Sequence, residues 1–153
     1  MNLPACTPLA RSTALRRVVF ALTALAGLAL AACSSGPGTR AEALQRTLYD
    51  YSGAIRWNQF EAAYDAIDPE VRRSRPLTDF ELERMKQVQV TRYEVVSERP
   101  LPDGRIAREV EISLINRHTQ TERTVRVRET WRYDETAQRW WQTEGLPNFA
   151  RDR

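Results

Sequence analysis

The sequence predicts an α+β domain in which N-terminal helices pack against an antiparallel sheet of about four strands. Three observations carry this. Apolar residues recur at helical spacing from residue 39 to residue 86. After Lys86 the spacing switches to strict alternation. Finally, the alternating stretches are separated by short turn sequences, which favours hairpins over crossovers.

The segment ahead of the domain reads as an address. Residues 1–17 are polar and basic, and residues 18–30 are apolar except for Thr23 and Gly27. A basic start, a short apolar run and a small-residue end make a secretory signal. As a helix the run rises roughly 20 Å, short of the ~30 Å hydrocarbon core, which disfavours a permanent span. Leu30-Ala31-Ala32-Cys33 then resembles the lipobox of bacterial lipoproteins. The resemblance implies cleavage between Ala32 and Cys33, and diacylglycerol and acyl chains on Cys33. Ser34 in the next position resembles lipoproteins sorted to the outer membrane, so the expected location is the envelope, facing the periplasm. The expected organisation is a signal over 1–32, a lipidated cysteine and flexible tether over 33–40, and a single domain over 41–153.

The charge follows the same division. The chain of 153 residues has a net charge of +3 and an isoelectric point near 9.2, which suggests an anionic partner. Residues 1–32 hold Arg11, Arg16 and Arg17 and no acid, so the excess belongs to the address. The remaining residues are charge-balanced. No basic stripe free of acids and no RNA-binding motif occurs, and nucleic acid is not an expected partner. Cys6 falls in the signal, which leaves Cys33 as the remaining cysteine. The domain must hold together without a disulfide.

Within the domain, Leu44, Leu48, Tyr51 and Ile55 form one apolar stripe, predicting a first helix from Thr39. Asn58 with Glu61 three residues on reads as a capping box for a second helix. Phe60, Tyr64 and Ile67 would supply its buried face, and Asp68-Pro69 would end it. Thr78 with Glu81 repeats the pattern before a short third helix carrying Phe80 and Met85. Val88 and Val90 share one parity while Tyr93 and Val95 share the other, which predicts a strand with a bulge near Thr91-Arg92. Pro102-Asp103-Gly104 is a turn. Residues 106–117 and 122–133 read as two long strands, paired Arg117 to Glu122, which sets Val110 against Glu129 and Glu111 against Arg128. After a turn at 134–137 comes a last strand, with Trp131 opposite Trp140 and Trp141 directed outward, stopped by Gly145-Leu146-Pro147.

Helices first, then a meander ending in Trp140-Trp141 and Gly145-Leu146-Pro147, resembles the nuclear transport factor 2-like superfamily. The resemblance covers most of residues 41–147 and rests on element order. It implies helices filling the hollow of a curved sheet, and functions ranging from small isomerases and cyclases to non-catalytic ligand-binding or dimerising domains. Residues 70–77, with three arginines and a proline, do not read as the short hairpin that the superfamily places there.

Candidate site residues follow from the alternation. Glu129 occupies the apolar parity of its strand between Val127 and Trp131, with Arg108 diagonally across and Gln142 beside it. A carboxylate at an apolar wall can have its pKa raised, whereas Arg108 would hold it ionised. Trp131, Trp140 and Tyr64 complete the candidate pocket for an apolar ligand. The catalytic alternative is an isomerase- or cyclase-like site around Glu129, Arg108 and Tyr64. His118 falls at a hairpin tip, poorly placed for a base, and Asp65 and Asp68 flank a helix end. Arg72, Arg73 and Arg75 form a basic cluster offset by Asp68, Glu70 and Asp79. Trp141 is the interface candidate, with a homodimer or an envelope protein as its partner. No metal or other cofactor is expected. The leading expectation is a non-catalytic ligand-binding or assembly module, with the small enzyme and a purely structural dimer as alternatives.

Overall fold

A computed structural model describes residues 39–149; the expected signal, Ala32, Cys33 and most of the expected tether lie outside the described residues. Among the described residues, four helices precede four strands: α1 (Arg40–Arg56), α2 (Phe60–Tyr64), α3 (Pro69–Ser74), α4 (Asp79–Lys86), β1 (Val88–Pro100), β2 (Ile106–Asn116), β3 (Glu122–Asp134) and β4 (Arg139–Gln142). The sheet is an antiparallel meander in the order β1-β2-β3-β4, so the α+β reading holds.

α1 forms as its pattern predicts. Thr39 and Glu42 close a reciprocal capping box at its start, and Leu44, Leu48, Tyr51 and Ile55 are buried. The second helix departs from expectation. Asn58 caps nothing; it sits at φ +57°, in the left-handed region that asparagine tolerates best after glycine. Its side chain reaches β1, donating to the Val88 carbonyl at 2.7 Å and accepting from the Val90 amide at 3.1 Å. α2 is therefore one short turn ending at Tyr64.

Asp68 does more than stop a helix. Its side chain accepts from the Glu70 amide, and Pro69 takes the first helical position, where its missing N–H costs nothing. The result is α3, a helix beginning where Asp68-Pro69 was expected only to end one. α4 carries the Thr78–Glu81 capping box as read, but its apolar residues divide. Met85 is buried, whereas Phe80 is 70% exposed.

β1 contains the expected irregularity between Val90 and Arg92, and a second between Val95 and Ser97. The β2–β3 hairpin keeps the expected faces but is displaced by two residues. Arg108 stands opposite Glu129, Val110 opposite Val127 and Ile112 opposite Val125. The loop sets this register. The Asn116 side chain accepts from the His118 and Thr119 amides, Gln120 turns at φ +57°, and the Asn116 amide donates to the Thr121 carbonyl. Arg117 leaves the ladder and donates to Gln89 instead. Glu111 consequently pairs with Arg126, not Arg128. The same displacement recurs at β4. Trp140 faces Tyr133, with ring centroids 5.3 Å apart, and Trp131 faces Gln142.

Val110, Ile112, Leu114, Trp131 and Phe60 are fully buried between the sheet and the helices. Burying such side chains contributes about 1.5–3 kcal/mol each. Residues 66–68 cover the β4 edge through a parallel bridge between Ile67 and Gln142.

Candidate functional site

Two regions collect chemistry, and they are distinct. The first centres on Glu129, which is 0% exposed. Its Oε1 accepts from the Tyr93 hydroxyl at 2.5 Å, and its Oε2 from Trp131 Nε1 at 3.2 Å. Arg108 approaches Oε2 at 3.5 Å through Nη1, and its Nε lies 3.2 Å from Glu98. The Arg108–Glu129 pair is therefore buried and directly cross-strand, where a diagonal pair was expected.

Burial raises the Glu129 pKa, and the Tyr93 hydrogen bond, the Arg108 charge and Trp131 oppose the shift. Tyr93 is pushed up by its own burial and then by Glu129. Tyr51 is raised for the same reasons, and its buried hydroxyl has no hydrogen-bond partner. Its ring stands edge-on to Trp131 at 5.1 Å. Neither tyrosine was singled out from sequence, because each fits its own element as an ordinary core residue.

The second region is an open cleft of about 550 Å³ at the end of the sheet, between α3, residues 75–78, α4 and residues 144–149. Val71, Leu77, Met85, Val88, Leu146 and Phe149 give it an apolar lining, with Arg75, Arg84 and Arg123 among its charged residues. Tyr64 builds one wall. Its hydroxyl accepts from the Leu77 amide at 3.1 Å and reaches the Arg72 carbonyl, which ties residue 77 to α2. Residues 144–149 build another wall, and behind it Gln142 Oε1 accepts from the Glu144 and Gly145 amides and fixes the turn after β4. Gly145 makes that turn at φ +90°, a conformation glycine adopts without a side-chain penalty.

The expected pocket residues thus separate. Tyr64 lines the cleft, while Glu129, Arg108, Trp131, Trp140 and Gln142 do not. Trp140 Nε1 instead donates to the Arg40 carbonyl. A second groove of about 500 Å³ runs beside Tyr49, Asp50, Arg56 and the 77%-exposed Trp57.

Trp141 occupies the outer face as expected but is only 7% exposed. The guanidinium of Arg139 lies 3.9 Å from its ring centroid and that of Arg72 lies 5.9 Å away. The basic cluster at residues 72–75 is therefore partly structural, and the tail packs elsewhere, with Phe149 against Phe60. His118 is exposed at its hairpin tip. Among the described residues, no three potential metal-ligating side chains gather in one place. No helix among them is long and apolar enough to cross a membrane.

No family model, curated protein or solved structure matches the chain. The functional reading rests on the residues themselves.

Proposed function

We propose that this chain is a lipid-anchored envelope lipoprotein facing the periplasm, and that its nuclear transport factor 2-like domain is a non-catalytic ligand-binding module. The observation that carries the binding role is the cleft. About 550 Å³ of space with a mixed apolar and polar lining falls within the ~300–1,000 Å³ typical of small-molecule sites. The anchor is supported by Leu30-Ala31-Ala32-Cys33 behind a basic and then apolar segment. More than one lipid chain on Cys33 would hold the domain stably at the bilayer. The superfamily reading is supported by helices preceding a meander whose first strand is twice irregular, since bulges bend a sheet.

The anchor is tested by mass spectrometry of the full chain expressed in bacteria. A lipidated peptide beginning at Cys33 is expected, and a Cys33→Ser variant should lack it. An unmodified peptide running intact through residues 31–35 would overturn the anchor. The binding role is tested with a neutral photoreactive fatty ester on the full chain in lipid nanodiscs. Saturable labelling around residues 77–88 and 144–149 is expected, and Leu77→Trp, which fills the cleft, should abolish it.

One observation favours a second, catalytic reading. Glu129 combines a raised pKa with a 2.5 Å bond to Tyr93, a pairing suited to proton transfer at an isomerase- or cyclase-like site. Turnover of apolar carbonyl compounds that disappears in Glu129→Gln with folding intact would establish it.

A further inference from the structure

Resting on the binding reading above, we infer that the cleft takes a single-chain amphiphile: an acyl chain laid on the apolar floor and an anionic head held by Arg75 and Arg84. The lining separates in chemistry as such a ligand requires. Val71, Leu77, Met85 and Leu146 are flexible or branched aliphatic side chains, and a thioether such as Met85 adapts to irregular apolar shapes. Arg75, Arg84 and Arg123 are its cationic residues, against Glu81 and Glu144.

The two acids are already engaged. Glu81 Oε2 accepts from both the amide and the hydroxyl of Thr78, at 3.0 and 2.9 Å, in the α4 capping box. Glu144 Oε1 accepts from the Thr130 hydroxyl at 2.9 Å, on the outer face of the sheet. The arginines are engaged differently. Arg75 donates from Nη2 to the Glu144 main-chain carbonyl at 3.1 Å, and no carboxylate among the described residues forms an ion pair with it. Arg84 lies over the Phe80 ring at 5.8 Å, and its charge adds to the Thr78 hydrogen bonds in holding the Glu81 carboxyl below the usual range. Arg123 donates to the Phe149 carbonyl, fixing the tail that forms the far wall. Arg75 and Arg84 are both exposed, so their guanidinium groups are accessible to an incoming anion. A carboxylate or phosphate head suits that fork, and a neutral head would forfeit it.

Fatty acids and lysophospholipids share this chemistry, and the experiment separates them. The full chain in lipid nanodiscs is photolabelled with three probes carrying the same diazirine-bearing sixteen-carbon chain: the free acid, its methyl ester and the lysophosphatidic acid. Anionic probes should label residues 75–88 and 144–149 at least tenfold more efficiently than the ester. An Arg75→Gln/Arg84→Gln double variant, altered at exposed positions, should lose that preference while still labelling with the ester. Preference for the free acid assigns a fatty acid, and preference for the phosphate assigns a lysophospholipid. Equal labelling by acid, phosphate and ester would overturn the anionic-head inference and leave the binding cleft standing. No saturable labelling by any probe would overturn the inference and the binding reading together.

Discussion

The Tyr93 hydroxyl donates to Glu129 Oε1 at 2.5 Å, although the two residues stand on strands separated by β2. That bond places a fully buried carboxylate inside the core, where burial raises its pKa. A raised carboxylate contributes its stability fully below the unfolded value near 4.5 and loses it as pH rises through the higher folded value. Urea midpoints should therefore include a decline with pH above about 4.5 that depends on Glu129. Glu129→Gln should flatten this component. Parallel pH profiles for the parent and Glu129→Gln would contradict the assignment.

The two tyrosines near Glu129 should respond in opposite ways. Tyr93→Phe removes a donor to a buried carboxylate and should cost about 1.5–3 kcal/mol. Tyr51→Phe removes a buried hydroxyl that has no hydrogen-bond partner, so it should be neutral or slightly stabilising. Chemical denaturation of both variants checks the pair, and equal losses would refute the contrast.

Asn58 links the α1–α2 corner to β1 through one donated and one accepted bond to the main chain. Asn58→Ala loses both and leaves a Cβ-bearing residue at φ +57° without its compensation, a loss of about 2–4 kcal/mol. Asn58→Gly relieves the backbone but not the orphaned Val88 and Val90 groups, so it should recover only part of that. Full recovery by glycine would show that the side-chain bonds contribute nothing.

Asp68 caps α3 with Oδ1 and receives Arg132 Nε and Nη2 on Oδ2, at 3.1 and 2.7 Å. Asp68→Ala should destabilise by about 2–3 kcal/mol, combining a lost cap with a lost bidentate contact. Asp68→Asn keeps a capping oxygen and should cost roughly half as much. Thermal melts of both variants separate cap from charge. An equal effect of the two would assign the whole contribution to Arg132.

The two-residue error in the β2–β3 register shows which part of the fold the sequence exposes. Alternation assigns Val110, Ile112, Glu129 and Trp131 to one face, and each lies there. Alternation is indifferent to any displacement by an even number of residues. The choice between registers fell to Asn116 and Gln120, whose loop geometry has only weak sequence signals. α3 was missed for a related reason: Asp68-Pro69 terminates one helix and starts another with the same two residues. The Glu129–Arg108 pair was legible because an acid on an apolar parity stands out. The cleft was not, since Arg75, Met85 and Leu146 come together only through tertiary packing.

The bond from Trp140 Nε1 to the Arg40 carbonyl joins residues one hundred positions apart. Seen as an event in time, α1 waits for β4, the last strand among the described residues. Until residue 140 exists, the stripe of α1 cannot meet the final strand, and a closure of that length is paid in chain entropy before any contact repays it. Docking of α1 against β4 is thus a late step, completed only once residue 140 has been added.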